Sequence, residues 1–143
     1  MEEFMVGKFI IRTPADRLYT AEGAWAQYAD GMVRVGVSDF MQQRSGDAAF
    51  VEVRPAGTGL KAGEELAALE TIKVTISLGS PVSGRVVEAN PDLETAPERV
   101  NQDPYGLGWL AVLAPEDWER ESEALMDGEA YAALAQRLAQ EAV

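Results

Sequence analysis

Apolar and polar positions alternate in short runs along most of this chain, and turn residues interrupt them every 8 to 12 residues. KFIIRT and RLYT are two short strand candidates separated by Pro14. Ala29-Asp30-Gly31 reads as a turn into MVRVGV, with Val33, Val35 and Val37 on one side. Ser38 can cap a short helix over SDFMQQRSG, with Asp39 in its first turn and Gly46 ending it. AAFVEVR alternates again, with Ala49, Val51 and Val53 facing one way. ELAALETI and VTISL form a hairpin with Ile72-Lys73-Val74 at the bend, and RVVEAN is a further strand. NPDLETAPERVN is a loop with one helical turn, DPYGLG is a turn, and WLAVLA is the last strand. From Pro115 to Val143 the pattern is helical. Pro115 suits a first turn, Asp127 can cap a second helix, and Leu125, Tyr131, Leu134 and Leu138 supply the apolar spacing. The pattern predicts a mainly β sandwich or barrel in one domain over 1–143, with a helical segment over 115–143 packed outside.

Composition narrows the chemistry. The chain has 143 residues, no cysteine and no histidine. Disulfides, thiolate nucleophiles, the usual zinc sites and any Ser-His-Asp triad are excluded. A self-sufficient enzyme is therefore not expected. A net charge of −12 argues against nucleic acid as a partner. No apolar run approaches a membrane span, and MEEFMVGKFIIRTP lacks the basic start of a secretion signal, so a cytoplasmic monomer is expected.

Arginine outnumbers lysine nine to three, which sets Lys73 apart. It is either an ordinary exposed charge on a hairpin or an amine to which something is attached. Ile72, Val74 and Ile76 are stiff and would hold the bend firmly. Gly57, Gly59, Gly63, Gly79 and Gly84 read as turn glycines. GTGLKAG lacks phosphate-loop spacing. Glu64-Glu65 reads as solvated charge. Tyr105 and Trp109 are packing residues or the lining of a groove.

Several segments in order resemble the glycine cleavage system H protein family of lipoyl carriers. They are YTAEGAW, VGVSDFMQQRSGDAAFVEVRP, ETIKV, SPVSGRVVEAN, PERVNQDPYGLGWL and LMDGEAYAAL, and they run from about Tyr19 to Leu134. The resemblance implies a lipoyl-domain barrel-sandwich hybrid with a peripheral short helix and C-terminal helices. It places lipoic acid on Lys73 and makes Glu70, Thr71, Ile72, Val74 and Trp25 candidates for arm docking or recognition. It also implies that the lipoylated lysine shuttles an aminomethyl group, so the protein is a carrier and not a catalyst. The partners implied are glycine decarboxylase, aminomethyltransferase, dihydrolipoamide dehydrogenase and a lipoate-attaching enzyme. Gly23-Ala24, the residues around Lys73, and Gly79 depart from the family pattern, and all are expected near the arm. They point to an alternative: a lipoate-binding carrier of a heterodisulfide-reductase-like sulfur-oxidation pathway.

Overall fold

The computed structural model describes residues 2–6 and 9–141. Eleven strands form three antiparallel sheets. β1 (Glu2–Val6) pairs with β2 (Phe9–Thr13). The largest sheet has the order β3 (Leu18–Tyr19), β4 (Ala24–Ala29), β5 (Met32–Val37), β11 (Ala111–Pro115), β10 (Gly84–Ala89), β7 (Gly59–Leu60). The third orders β6 (Ala48–Val53), β8 (Glu65–Thr71) and β9 (Thr75–Gly79). Helices α1 (Asp39–Ser45), α2 (Arg99–Gln102), α3 (Trp118–Glu121) and α4 (Gly128–Glu141) lie between and after the strands.

The strongest periodic signals form as expected. Val33, Val35 and Val37 face inward and join Leu66, Leu69, Leu78, Val86, Leu110 and Leu113 in the main core. The turn before β5 has positive φ at Asp30 (53°) and Gly31 (79°), the conformation of a two-residue hairpin whose twist matches its strands. The Ser38 hydroxyl accepts the Met41 N–H at 3.1 Å, and Gly46, at φ 91°, ends α1. Asp127 caps α4 by accepting the Ala130 N–H at 2.8 Å.

Several expectations are corrected. Ala49 is exposed, because it is the extra residue of a bulge that shifts the β6–β8 register between Ala48 and Phe50. Ala48 takes the inward position instead. Pro115 starts no helix. It ends β11 opposite Gly84, and the Glu116 N–H goes on to the Ser83 carbonyl at 3.0 Å. The segment 115–143 is therefore not helical throughout: α3 starts only after Asp117, and Met126 bridges to Tyr19 as extended chain before α4. Ala142 and Val143, and Lys8 at the start of KFIIRT, lie outside the described residues. NPDLETAPERVN holds two helical pieces, a 3-10 turn at Pro91–Glu94 and α2. Of the five turn glycines, Gly57 and Gly63 have positive φ, but Gly59, Gly79 and Gly84 sit in strands. A Cβ on Gly79 would lie 2.8 Å from the Gly63 carbonyl oxygen, so close backbone approach selects glycine there.

A second, aromatic core joins the N-terminal hairpin to α4. Phe4 and Ile11 pack with Tyr19, Trp25, Phe40 and Tyr131. Tyr19 and Tyr131 stack with ring centroids 4.7 Å apart. Their polar ends are satisfied: Tyr19 donates to the Pro14 carbonyl at 2.7 Å, and the Tyr131 and Ser38 hydroxyls are 2.8 Å apart.

Gly36 faces the Trp25 ring, where a Cβ would come within 2.5 Å of Cε2. Gly36→Ala is expected to destabilise the fold by about 3 kcal/mol through overpacking, read as a lower urea midpoint. Burial pushes the phenols of Tyr19, Tyr105 and Tyr131 above the ordinary value of 10.0. The unfolded chain loses those protons near pH 10 while the folded chain keeps them. Stability is therefore full below pH 10 and falls as pH rises above it. Phenolate absorbance alongside denaturant titrations between about pH 9 and 11 checks this.

Candidate functional site

Antiparallel pairing of β8 with β9 runs to Glu70↔Thr75, leaving Thr71 to Val74 to reverse the chain. Thr71 makes that reversal. Its N–H donates to the Val74 carbonyl at 2.8 Å. Its hydroxyl oxygen accepts the Lys73 N–H at 3.2 Å and the Val74 N–H at 3.1 Å, and donates to the Val74 carbonyl at 3.1 Å. One hydroxyl thus uses its single donor and both acceptor positions on the turn. Thr71 is buried, and its hydroxyl shapes the turn.

Beyond that anchor the tip is open. Ile72 is 95% exposed, Val74 is 48% exposed, and Lys73 is exposed between them. Among the described residues the Lys73 ammonium makes no hydrogen bond or ion pair, whereas Lys61 Nζ lies 3.9 Å from Glu116. Glu70 is exposed one residue before the turn, opposite Phe50, which is 68% exposed. Glu70, Ile72, Lys73 and Val74 therefore share one end of the β6-β8-β9 sheet, and Phe50 joins them.

Trp25 does not. It has no exposed surface, its indole N–H donates to the Pro104 carbonyl at 3.0 Å, and the Arg17 guanidinium covers the ring at 4.6 Å. Its ring has no exposed face in this structure. Tyr105 is likewise a brace: its hydroxyl donates to the Arg12 carbonyl at 2.7 Å and accepts the Asp39 N–H at 2.9 Å. Gly79 pairs with Glu65 at the opposite end of the β8–β9 ladder, so its departure from the family pattern is not at the tip. Gly23, at φ 102°, lies against Met41 and Tyr131.

Two contributors were not singled out as site residues from the sequence. The stem of Lys73 lies over Gly46 at the end of α1, where a Cβ would be 3.6 Å from Lys73 Cε and 3.8 Å from Nζ. Asn101 then fixes Gly46 in place. Its Nδ2 donates to the Gly46 carbonyl at 2.9 Å and to Gln42 Oε1 at 3.0 Å, and its Oδ1 accepts the Ala48 N–H at 2.9 Å. Both residues lie in the motifs quoted above, but nothing in local sequence pairs position 46 with position 101.

A family model described as Glycine cleavage H-protein matches residues 17–138. A glycine cleavage system H protein of Oceanobacillus iheyensis is 43% identical over 123 residues, covering 86% of this chain and 97% of the relative. Glycine cleavage system H protein 4 of Aquifex aeolicus is 36% identical over 141 residues, covering 99% of this chain and 81% of the relative. The crystal structure of a glycine cleavage system H protein from Mycobacterium marinum superposes with a TM-score of 0.76 at 34% identity, covering 84% of this chain and 96% of that one. The three-sheet architecture is accordingly the lipoyl-domain barrel-sandwich with peripheral helices.

Thr71→Val keeps the shape of residue 71 and removes the hydroxyl. Amide exchange at Lys73 and Val74 is expected to speed several-fold, in line with a loss of about 1 kcal/mol, while Thr71→Ser holds the native rate.

Proposed function

This chain belongs to the glycine cleavage H-protein family, and from that premise we propose that it is a lipoyl carrier with its arm on Lys73. The observation that carries the reading is the exposed amine, without a partner among the described residues, at the centre of a turn that Thr71 pins. An attached arm needs such an amine. It must reach a modifying enzyme, and it must not be held by an ion pair that attachment would break. The flanking Ile72 and Val74 leave both sides of the tip open.

When bound, a lipoyl group supplies a dithiolane that takes up electrons and a one-carbon fragment, chemistry that a chain without cysteine does not itself provide. The chain's own residues do the presenting. Lys73 gives the point of attachment, Thr71 fixes its backbone, and the β8–β9 hairpin stands on buried Leu66, Leu69 and Leu78. On this reading the arm shuttles an aminomethyl group among glycine decarboxylase, aminomethyltransferase and dihydrolipoamide dehydrogenase, and the relatives' place in a glycine cleavage system supports it. Those relatives favour this cargo over the sulfur-oxidation alternative. Among the described residues, no helix is long and apolar enough to cross a membrane.

Purified from its native host, the wild-type chain is expected to carry a lipoyl adduct on Lys73 by intact-mass and peptide analysis. Mixed with glycine decarboxylase, it should support glycine–bicarbonate exchange. Lys73→Arg should lose both and keep its melting temperature, because an exposed tip residue contributes little packing. An adduct-free wild-type chain, or no exchange at any carrier concentration, rejects the assignment.

A further inference from the structure

We propose that Asn101 is a positioning residue for the modification of Lys73, acting through Gly46. The inference rests on Lys73 being the attachment point. In attachment the amine forms an amide bond to a lipoyl carboxyl group activated as a mixed anhydride with a nucleotide. The anhydride C–O bond breaks, the nucleoside monophosphate leaves, and the amine gives up a proton. Such a step needs the amine in one place when the two proteins meet. A lysine at an exposed tip would otherwise sweep a wide volume, since its stem has four rotatable bonds.

Here the exposed stem passes beside Gly46, where a Cβ would be 3.6 Å from Cε and 3.8 Å from Cδ and Nζ. Gly46 presents bare backbone to Lys73 Cδ, Cε and Nζ. Its carbonyl is held by Asn101 from α2, and the same side chain holds Ala48, the first residue of β6. Ala48 pairs with Thr71, the residue that pins the turn. The loop from Gly46 to Ala48 is thus clamped at both ends by one amide, and that loop joins the backbone under the lysine stem to the strand beside the turn. Gln42 Oε1 takes the remaining Asn101 proton and ties the clamp to the last turn of α1. Loosening the clamp lowers the fraction of carriers whose amine is correctly placed, and apparent affinity falls by that fraction.

The test compares Asn101→Ala with Asn90→Ala. Asn90 also makes three side-chain hydrogen bonds, to the Leu107 and Trp109 carbonyls and from the Asp92 N–H, but they brace the segment before β11 rather than the tip. It controls for general loss of stability. Unmodified chains are titrated with a lipoate-attaching enzyme, lipoate and ATP, and product is counted by intact mass. In N101A the carrier KM is expected to rise about fivefold with kcat within about twofold, as a lowered competent fraction requires. N90A keeps both constants. Independently, a nuclear Overhauser contact between the Lys73 ε-methylene and the Gly46 α-protons is expected in wild type and N90A and lost in N101A. Asn101→Ser, whose short side chain cannot span all three partners, serves if N101A fails to fold and should behave likewise. Equal KM in N101 variants and wild type, or a Lys73–Gly46 contact that survives in them, overturns the role of Asn101. A wild-type chain that gains no mass overturns the reading of Lys73 itself, which is a separate failure.

Discussion

The Thr71 hydroxyl closes a turn that has almost no packing of its own. Ile72 is nearly as exposed as in an unfolded chain, and Lys73 stands in solvent. No burial energy orders these residues, so order must come from hydrogen bonds and from the strands below. Thr71 supplies the first by replacing a backbone carbonyl as acceptor for two N–H groups. The strands supply the second through Leu69 and Leu78, which bury one face of β8 and β9 in the main core. A rigid tip and a solvated tip are reconciled by separating the two jobs. The residue that fixes the turn is buried, and those that present chemistry are not.

The elements legible in the sequence are those whose order is local. The alternation of MVRVGV, the Ser38 cap, the Asp30-Gly31 turn and the bend at Ile72-Lys73-Val74 each follow from neighbours within a few residues. What failed depends on distant chain. Ala49 follows the alternation but falls on a bulge set by pairing with β8. Pro115 has the chemistry of a helix start, yet β10 keeps it in a strand. Gly79 and Gly84 looked like turn residues because glycine is commonest there. Close approach of the Gly63 and Ala114 backbones is the cause instead, and it has no local signature. The site divides in the same way. Lys73 and its flanks were legible from a hairpin pattern and an ordered set of motifs. The burial of Trp25 and the link from Asn101 to Gly46 were not, because both rest on contacts across the fold.

The N-terminal hairpin shows how an addition can be integrated without touching the tip. It precedes the residues that the family model matches, 17–138. Its Phe4 and Ile11 extend the aromatic core, and its backbone is bonded into the α1 region. The Arg12 N–H donates to Asp39 Oδ2 at 2.9 Å, and the Arg12 carbonyl accepts the Tyr105 hydroxyl. Gln43 reaches the Ile10 carbonyl at 3.2 Å. The Asp39 carboxylate serves this hairpin as well as the Gln42 and Gln43 side chains of its own helix. The hairpin thus stiffens the N-terminal half of α1, while Asn101 holds the C-terminal end that touches the lysine stem.

Ile72 separates stability from function at the tip. A side chain that stays in water in both folded and unfolded chains gains no burial on folding, so the fold exerts little preference for its identity beyond backbone stiffness. Phe50, 68% exposed, is left facing outward opposite Glu70 by the bulge at Ala49. Ile72 and Val74 are also among the positions where the chain differs from the family pattern around the lysine. A change at Ile72 therefore leaves Asn101 and the core beneath undisturbed. The fold fixes the backbone that carries the amine, while the apolar character around it is set by whatever meets the tip.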